Sequence, residues 1–198
     1  MNICLFCGTF NPIHNAHIRM AQYVLRKFDF EKVIFIPSYI PPHKNTQGVS
    51  AENRMEMVRL AINGQKRFEV SDIEFQLAQK YEKSYTYLTI LELRKLFNTE
   101  EKFNFIIGTD AFEKIESWYE ADKLKGLLKF IVSRREDDCD LSRFDYLREK
   151  GFDFDFTNLA FYDISSTELR NKISRGESIS DLVPAAVEDY IIENGLYR

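Results

Sequence analysis

An alternation of short apolar runs with amphipathic helical segments constrains the fold of this chain more than any other feature. Residues 3–7 (ICLFC) form a continuous apolar run that ends at Gly8, as expected of a buried strand followed by a tight turn. Asn15–Lys27 carries apolar residues at helical spacing, with Asn15 as the predicted N-cap, and Lys32–Pro37 (KVIFIP) is a second apolar run. This order predicts a right-handed βαβ unit with parallel strands.

The same alternation continues along the chain. We predict helices over residues 51–62 and 86–97, from Ser166 and from Pro184, with extended structure at residues 68–75, 103–107, 130–133 and 161–164. We therefore expect an α/β fold: a Rossmann-like, doubly wound, mostly parallel sheet with helices on both faces and a small C-terminal helical unit. The 198 residues suit a single domain, with the core at about 1–160 and the helical unit at about 161–198.

Composition narrows the class of protein. The chain is 44% hydrophobic and 29% charged, which is ordinary for a folded globular protein, and it has neither a membrane-spanning apolar run nor a signal peptide, so we expect a cytoplasmic location. The net charge of −4 argues against a nucleic-acid binder. Cys4 and Cys7 point to opposite faces of the predicted first strand, and we interpret them as core thiols and not as a metal pair.

All three histidines lie in the first 44 residues, close to the predicted carboxyl ends of the first two strands. In an open α/β sheet that edge binds ligands, and segments following four predicted strands should meet there. His14 and His17 are three residues apart at the start of a helix, whose positive N-terminal end favours phosphate. A zinc site is the weaker interpretation of this pair, because no Cys or carboxylate is placed to complete the ligand set.

A second polar cluster is ISSTELR at residues 164–170. Ser165 and Glu168 match an S-x-x-E capping box, while Ser166, Thr167 and Arg170 could form a phosphate cradle at a helix N-terminus. The spacing alone does not decide between a plain cap and a cradle. Neither G-x-x-x-x-G-K-[ST] nor G-x-G-x-x-G occurs, so a P-loop or dinucleotide-type Rossmann enzyme is disfavoured.

These two segments resemble motifs of a known superfamily. GTFNPIHNAH at residues 8–17 resembles the nucleotidyltransferase signature G-[TS]-F-D-P-x-H-x-G-H, and ISSTELR resembles its companion I-S-S-T-x-[IL]-R. Further segments are similar to the bacterial nicotinate mononucleotide adenylyltransferases: IPPHK at 40–44, SYTYLT at 84–89, IIGTDAF at 106–112, SWYE around Trp118, VSRR at 132–135 and the tail at 183–197. The resemblance covers essentially the whole chain.

The resemblance implies transfer of the adenylyl group of ATP to nicotinate mononucleotide, with Mg²⁺ bound with ATP as the cofactor and with no protein metal site. The implied catalytic residues are His14, His17, Lys44 and Arg170. The implied ATP-binding residues are Gly8, Thr9, Phe10, His14, His17, Asp110, Arg134, Ile164, Ser165, Ser166, Thr167 and Arg170. The implied nicotinate mononucleotide-binding residues are Thr9, Asn11, Lys44, Thr86, Trp118 and Tyr119. Without the resemblance, Trp118 would be interpreted as a core residue.

The chain departs from the family's pattern at three positions, one of which is Thr109, where the family usually has alanine. Asn11 stands where the family usually has aspartate, and Ala16 where it usually has glycine. Two alternatives stay open: a sister adenylyltransferase that takes nicotinamide mononucleotide or phosphopantetheine, and a non-catalytic ATP-binding sensor. The expected partners are ATP and nicotinate mononucleotide, with neither nucleic acid nor membrane, and a homo-oligomeric state is left open.

Overall fold

A parallel sheet forms the centre of the protein. The computed structural model describes residues 2–42, 46, 48–134, 140–157 and 164–198. In these ranges six strands pair in the order β3-β2-β1-β4-β5-β6, every pair being parallel. The strands are Ile3–Gly8 (β1), Lys32–Pro37 (β2), Phe68–Val70 (β3), Phe103–Gly108 (β4), Leu128–Ser133 (β5) and Phe154–Phe156 (β6). The predicted Rossmann-like, doubly wound architecture is thereby confirmed.

Helices connect the strands and complete the C-terminal part. They are Asn15–Lys27 (α1), Ala51–Ile62 (α2), Ile73–Leu77 (α3), Thr86–Leu96 (α4), Thr109–Phe112 (α5), Ala121–Leu124 (α6), Asp145–Glu149 (α7), Ser166–Ser174 (α8) and Ala185–Glu193 (α9), with 3₁₀ turns at Ile115–Ser117 and Ser142–Phe144. Among the described residues, none of these helices combines the length and the apolar character that a membrane span requires.

Each face of the sheet buries its own apolar core. Because successive side chains of a strand point to opposite faces, Cys4 and Phe6 of β1 enter one core, while Ile3 and Leu5 enter the other. Helices cover both faces: the first core includes Ile18, Val58, Leu169 and Val187, and the second includes Leu77, Ile90, Phe112 and Leu147. Burial raises the pKa of the Cys4 thiol well above its usual value, in keeping with a core residue.

Most predicted elements lie within one or two residues of their observed bounds, but three predictions need correction. Extended structure predicted at 68–75 ends at Val70, because Asp72 accepts the N–H of Phe75 with its carbonyl and a new helix begins at Ile73. Asn15 is the first helical residue and not the N-cap, a position that His14 takes in an extended conformation. The short strand β6 was not predicted, although residues 152–156 (FDFDF) alternate with the period of a half-buried strand.

Three sequence predictions fall wholly or partly outside the described residues. They are the strand end at 161–164, of which only Ile164 is described, the acidic stretch that follows Arg135, and the His43–Lys44 pair. The predicted division between core and helical unit near residue 160 falls in the same undescribed stretch and stays a prediction. The two helices of the C-terminal part, α8 and α9, begin at or within one residue of the predicted starts at Ser166 and Pro184.

Candidate active site

The carboxyl ends of the four central strands meet at one edge of the sheet. Gly8 at the end of β1 pairs with Pro37 of β2, and Gly108 at the end of β4 pairs with Ser133 of β5. From β1 the strand order runs outward to β2 and β3, and from β4 it runs outward to β5 and β6. The topological switch point therefore lies between β1 and β4, the position at which open α/β sheets bind their ligands. We call this region the carboxyl-edge site.

A tight turn follows β1 and carries the first motif. Phe10 has a positive φ of 47°, and the Asn11–Pro12 peptide bond is cis. The Phe10 ring is buried and folds back over Gly8, where an added Cβ would lie only 2.9 Å from the ring. It also makes an edge contact with the His17 ring, with 5.2 Å between centroids. Glycine at position 8 therefore permits the close packing that shapes the turn.

His14 and His17 form a stacked pair at the start of α1. Their ring centroids are 3.7 Å apart with an interplanar angle of 29°. The backbone N–H of His14 donates to Nδ1 of His17 over 3.2 Å. Since Nδ1 accepts, this hydrogen-bond pattern assigns the proton of a neutral His17 ring to Nε2, which can donate to a ligand. The pair thus lies at a helix N-terminus, where the helix dipole favours an anion.

His14 is the more deeply buried of the two histidines. Only 5% of the residue is exposed, and its Nδ1 is buried without a hydrogen-bond partner. Burial lowers the pKa of His14 to about 3, because desolvation disfavours the imidazolium. The ligand-free protein therefore holds a neutral His14 beside His17. A bound polyphosphate would place negative charge beside His14 and so favour its protonated form.

Helix α8, which carries the second motif, packs directly against the turn of the first. The Ser166 hydroxyl donates to the carbonyl of Pro12 over 3.0 Å, and Nη1 of Arg170 donates to the carbonyl of Asn11 over 2.8 Å. The Ser165 hydroxyl accepts the N–H of Glu168 and so caps the helix, as its motif predicts. The structure thus brings two predicted phosphate-binding segments, about 150 residues apart, into hydrogen-bonding contact.

Asn11 joins this turn to two further parts of the chain. Its Oδ1 accepts the hydroxyl of Tyr197 over 2.7 Å, and its Nδ2 donates to the carbonyl of Thr46 over 3.1 Å. Burial raises the pKa of Tyr197, an effect that the nearby Arg170 and Arg54 oppose. An amide can serve both partners at once because it carries an acceptor and a donor. Tyr197 was recognised in the sequence only as part of the matching tail.

Arg54 is a residue of the site that the sequence analysis missed. It is fully buried, and its guanidinium donates to the carbonyls of Thr9, Ser38 and Tyr39 over 2.8, 2.6 and 2.9 Å. Burial lowers its pKa. Helical spacing gave a signal for this position, because Arg54 precedes the core residues Val58 and Ala61 by four and seven positions.

The predicted acceptor-binding residues lie at the start of α4 and after the 3₁₀ turn at Ile115–Ser117. Thr86, the first residue of α4, is half-buried next to Tyr85, whose ring lies 4.7 Å from the ring of Tyr119. Trp118 is also half-buried, and its ring makes a T-shaped contact with the ring of Phe105, with 6.3 Å between the ring centroids. One side of the indole therefore packs on the core, as the simpler interpretation predicted, while part of it stays accessible.

Two further predicted site residues lie at the carboxyl ends of β4 and β5, while Ile164 and Thr167 lie at the start of α8. Asp110 is exposed in the first turn of α5, and Arg134 follows β5 with its Nε buried and without a partner. Both thus lie at the same edge as the turn after β1. Lys44 lies outside the described residues, so its predicted contact with phosphate stays a prediction.

The chain is similar in sequence and in fold to several known proteins. The family described as cytidylyltransferase-like matches residues 5–172. Two probable nicotinate-nucleotide adenylyltransferases, from Caldicellulosiruptor saccharolyticus and Clostridium tetani, are each 39% identical to this chain; the alignments cover 100% of both chains in the first case and 98% in the second. Among solved structures, Plasmodium falciparum nicotinic acid mononucleotide adenylyltransferase complexed with NaAD has a TM-score of 0.81 at 22% identity, covering 99% of this chain and 97% of that one. The same protein complexed with APC has a TM-score of 0.79.

Proposed function

The chain belongs to the cytidylyltransferase-like family, where it groups with the nicotinate-nucleotide adenylyltransferases, and on this premise we propose that the carboxyl-edge site joins the adenylyl group of ATP to nicotinate mononucleotide. A phosphate oxygen of the mononucleotide attacks the α-phosphorus of ATP, a new P–O bond forms, and the bond to the β-phosphate oxygen breaks. The products are deamido-NAD and pyrophosphate. No protein nucleophile is needed.

One observation carries the assignment of the site: α1 and α8 both begin at the turn that contains Asn11 and Pro12. Ser166 and Arg170 bond to the carbonyls of this turn, and His14 and His17 follow it directly. Two helix N-termini, a histidine pair and a guanidinium thus adjoin one turn at the carboxyl ends of the strands. This is the environment that a triphosphate and its developing transition-state charge require.

The proposed roles follow from the chemistry of each group. His17 donates from Nε2 to a phosphate oxygen at the reacting phosphorus. The ring of His14 stacks on the ring of His17 and holds its orientation. The backbone of Gly8, Thr9 and Phe10 shapes the turn around the triphosphate, while Arg170 approaches it from α8. The alignment of two anions for in-line attack, rather than acid–base chemistry, is then the main contribution of the protein.

Nucleotidyltransferases of this kind use a divalent metal with ATP, and we propose that this ion is Mg²⁺. Phosphate oxygens are the ligands that Mg²⁺ prefers, so the ion would enter bound to the triphosphate. It would neutralise charge on the departing pyrophosphate. The histidine pair would then contact a nucleotide whose net negative charge the metal ion has already reduced.

For the acceptor, we propose that Thr86, Trp118 and Tyr119 hold the nicotinate mononucleotide. The half-buried indole offers a flat apolar surface to the pyridine ring, and the Tyr85–Tyr119 contact orders the neighbouring wall. The Plasmodium falciparum neighbour, which shares this fold, is complexed with NaAD, and a nucleotide ligand of this class is consistent with the proposed product. Cytoplasmic location and oligomeric state stay predictions.

The test is an assay of pyrophosphate release with ATP, Mg²⁺ and one acceptor at a time. We expect nicotinate mononucleotide to be used faster than nicotinamide mononucleotide or phosphopantetheine, and the opposite order would contradict the acceptor assignment. In the same assay, His17→Ala should lower kcat by about 100-fold with a much smaller change in ATP affinity, as expected for a transition-state contact. Arg26→Ala, at the exposed far end of α1, is the matched control and should be unaffected. Equal losses in kcat and affinity for His17→Ala would contradict its role.

A further inference from the structure

The three residues that follow β2 have all their backbone polar groups bonded. The N–H of Ser38 donates to the carbonyl of Gly8 over 2.9 Å. The carbonyls of Ser38 and Tyr39 accept from Arg54, the N–H groups of Tyr39 and Ile40 donate to the Ser84 hydroxyl, and the carbonyl of Ile40 accepts the N–H of Ser84. We call residues 38–40 the β2 exit. Connecting segments rarely have such complete internal bonding, since they usually face water.

Arg54 holds the β2 exit from the side of the phosphate-binding turn. The same Nη1 that donates to Ser38 also donates to the carbonyl of Thr9. One planar guanidinium thereby fixes the distance between the turn after β1 and the segment after β2. A buried cation is costly, and here the hydrogen-bond partners of its two terminal nitrogens are three carbonyl oxygens, while its Nε is buried without a partner.

Ser84 holds the β2 exit from the opposite side, where the acceptor residues lie. Its hydroxyl accepts two N–H groups, from Tyr39 at 3.0 Å and Ile40 at 3.2 Å, and donates to the buried carboxyl group of Glu74. A hydroxyl has one donor and two acceptor sites, so Ser84 is fully used. The Thr89 hydroxyl of α4 also donates to Glu74. Ser84 lies two residues before Thr86, so its position and that of the acceptor-binding helix start are linked.

Resting on the proposed function, we propose that Arg54 and Ser84 are positioning residues that clamp the β2 exit from both sides and so set the spacing between the phosphate-binding turn and the acceptor-binding start of α4. Neither side chain contacts the reacting atoms in this assignment. In-line transfer between two bound nucleotides depends steeply on their alignment, and a displacement of about 1 Å can cost on the order of 100-fold in rate. The clamp should therefore matter more for kcat than for the binding of either substrate alone.

The first test uses Ser84→Ala, with Ser84→Thr as the rescue variant and Ser71→Ala as the matched control. The Ser71 hydroxyl also accepts a backbone N–H, from Ile73, but does not contact the β2 exit. We expect Ser84→Ala to lower kcat by about 10-fold or more, with ATP affinity changed by less than about threefold, and Ser84→Thr to recover most of the rate. Ser71→Ala should keep the wild-type kcat. A wild-type kcat for Ser84→Ala, or an equal loss in kcat and ATP affinity, would overturn the proposal.

Hydrogen exchange tests the clamp independently of catalysis. The amides of Tyr39 and Ile40 should be protected in the wild type and in Ser71→Ala, and should exchange at least about 10-fold faster in Ser84→Ala. Unchanged protection would overturn the clamp whatever the activity. If the wild type releases no pyrophosphate with any acceptor, the proposed function fails, and that result is distinct from an active wild type whose Ser84→Ala variant is equally active.

A double-mutant cycle tests whether Arg54 and Ser84 act on catalysis through the same segment, the β2 exit. Arg54→Lys keeps the charge but replaces the planar fork by a point donor, so it should retain at most part of the clamp. If both residues hold the same segment, the loss in kcat for the double variant should be smaller than the product of the two single losses. Multiplicative losses would show two independent structural effects and overturn the coupling.

Discussion

Acid should destabilise this protein in part through His14. The residue is 5% exposed, and burial lowers its pKa to about 3 from an ordinary value of 6.5. The folded protein therefore keeps the ring neutral at pH values where the unfolded chain protonates it. Because the folded pKa is depressed, the favourable contribution to stability is fully present above about pH 6.5 and is lost as the pH falls towards 3.

The magnitude follows from the two pKa values. Each pH unit below 6.5 costs about 1.4 kcal/mol of unfolding free energy until the folded pKa is reached. At about pH 5 the loss from this residue is therefore roughly 2 kcal/mol, and close to pH 3 it levels off. For a domain of this size, 2 kcal/mol is a substantial part of the total stability.

The assay is urea unfolding of the wild type and of His14→Asn in phosphate-free buffer at about pH 7.5 and about pH 5. Asparagine is neutral at both pH values, so the variant keeps the carboxylate titrations and loses that of His14. We expect the wild type to lose roughly 2 kcal/mol more than the variant between these conditions. Equal losses would show that His14 does not contribute, and the burial argument would be wrong.

Two further variants test the packing of the turn after β1, which we propose binds phosphate. Gly8→Ala should destabilise the protein by about 1–3 kcal/mol, because the new Cβ would lie 2.9 Å from the Phe10 ring; unchanged urea unfolding would refute this close approach. Tyr197→Phe should cost about 1 kcal/mol, since it removes the hydroxyl that donates to Oδ1 of Asn11, and it should also lower kcat. Wild-type values of both quantities would show that the C-terminal tail does not order the turn.

The sequence predicted those elements whose pattern is local and strong. The apolar run of β2 and the helical spacing of α1 and α2 have the predicted bounds, because periodicity depends only on neighbouring residues. The strand predicted at 68–75 is mostly wrong, because a helix with Asp72 as its N-cap begins at Ile73, within a segment of mixed apolar and polar residues (FEVSDIEF) that periodicity alone could not divide.

Contacts between distant segments are what the sequence could not supply. The motifs placed Arg170 and the turn at Asn11 in one site, but the hydrogen bond between them depends on how α8 packs against the sheet. Arg54 shows the limit most clearly: its helical phase indicates burial, but its three carbonyl partners come from segments that only the folded chain brings together. A buried arginine with no acidic residue at helical spacing is therefore a signal to look for backbone acceptors.

The contacts of Asn11, the main departure from the family's pattern, indicate what an amide does at this position. Its amide accepts from Tyr197 and donates to the carbonyl of Thr46, whereas a carboxylate could do only the first. Arg170 also donates to the backbone carbonyl of residue 11, and this carbonyl is present whichever side chain stands there. Nothing in adenylyl transfer by alignment requires a carboxylate here, because the reacting phosphates need donors and cations. The substitution therefore changes how the turn is tied to the rest of the chain and leaves the proposed phosphate-binding groups in place, which favours an active enzyme over a sensor that has lost its chemistry.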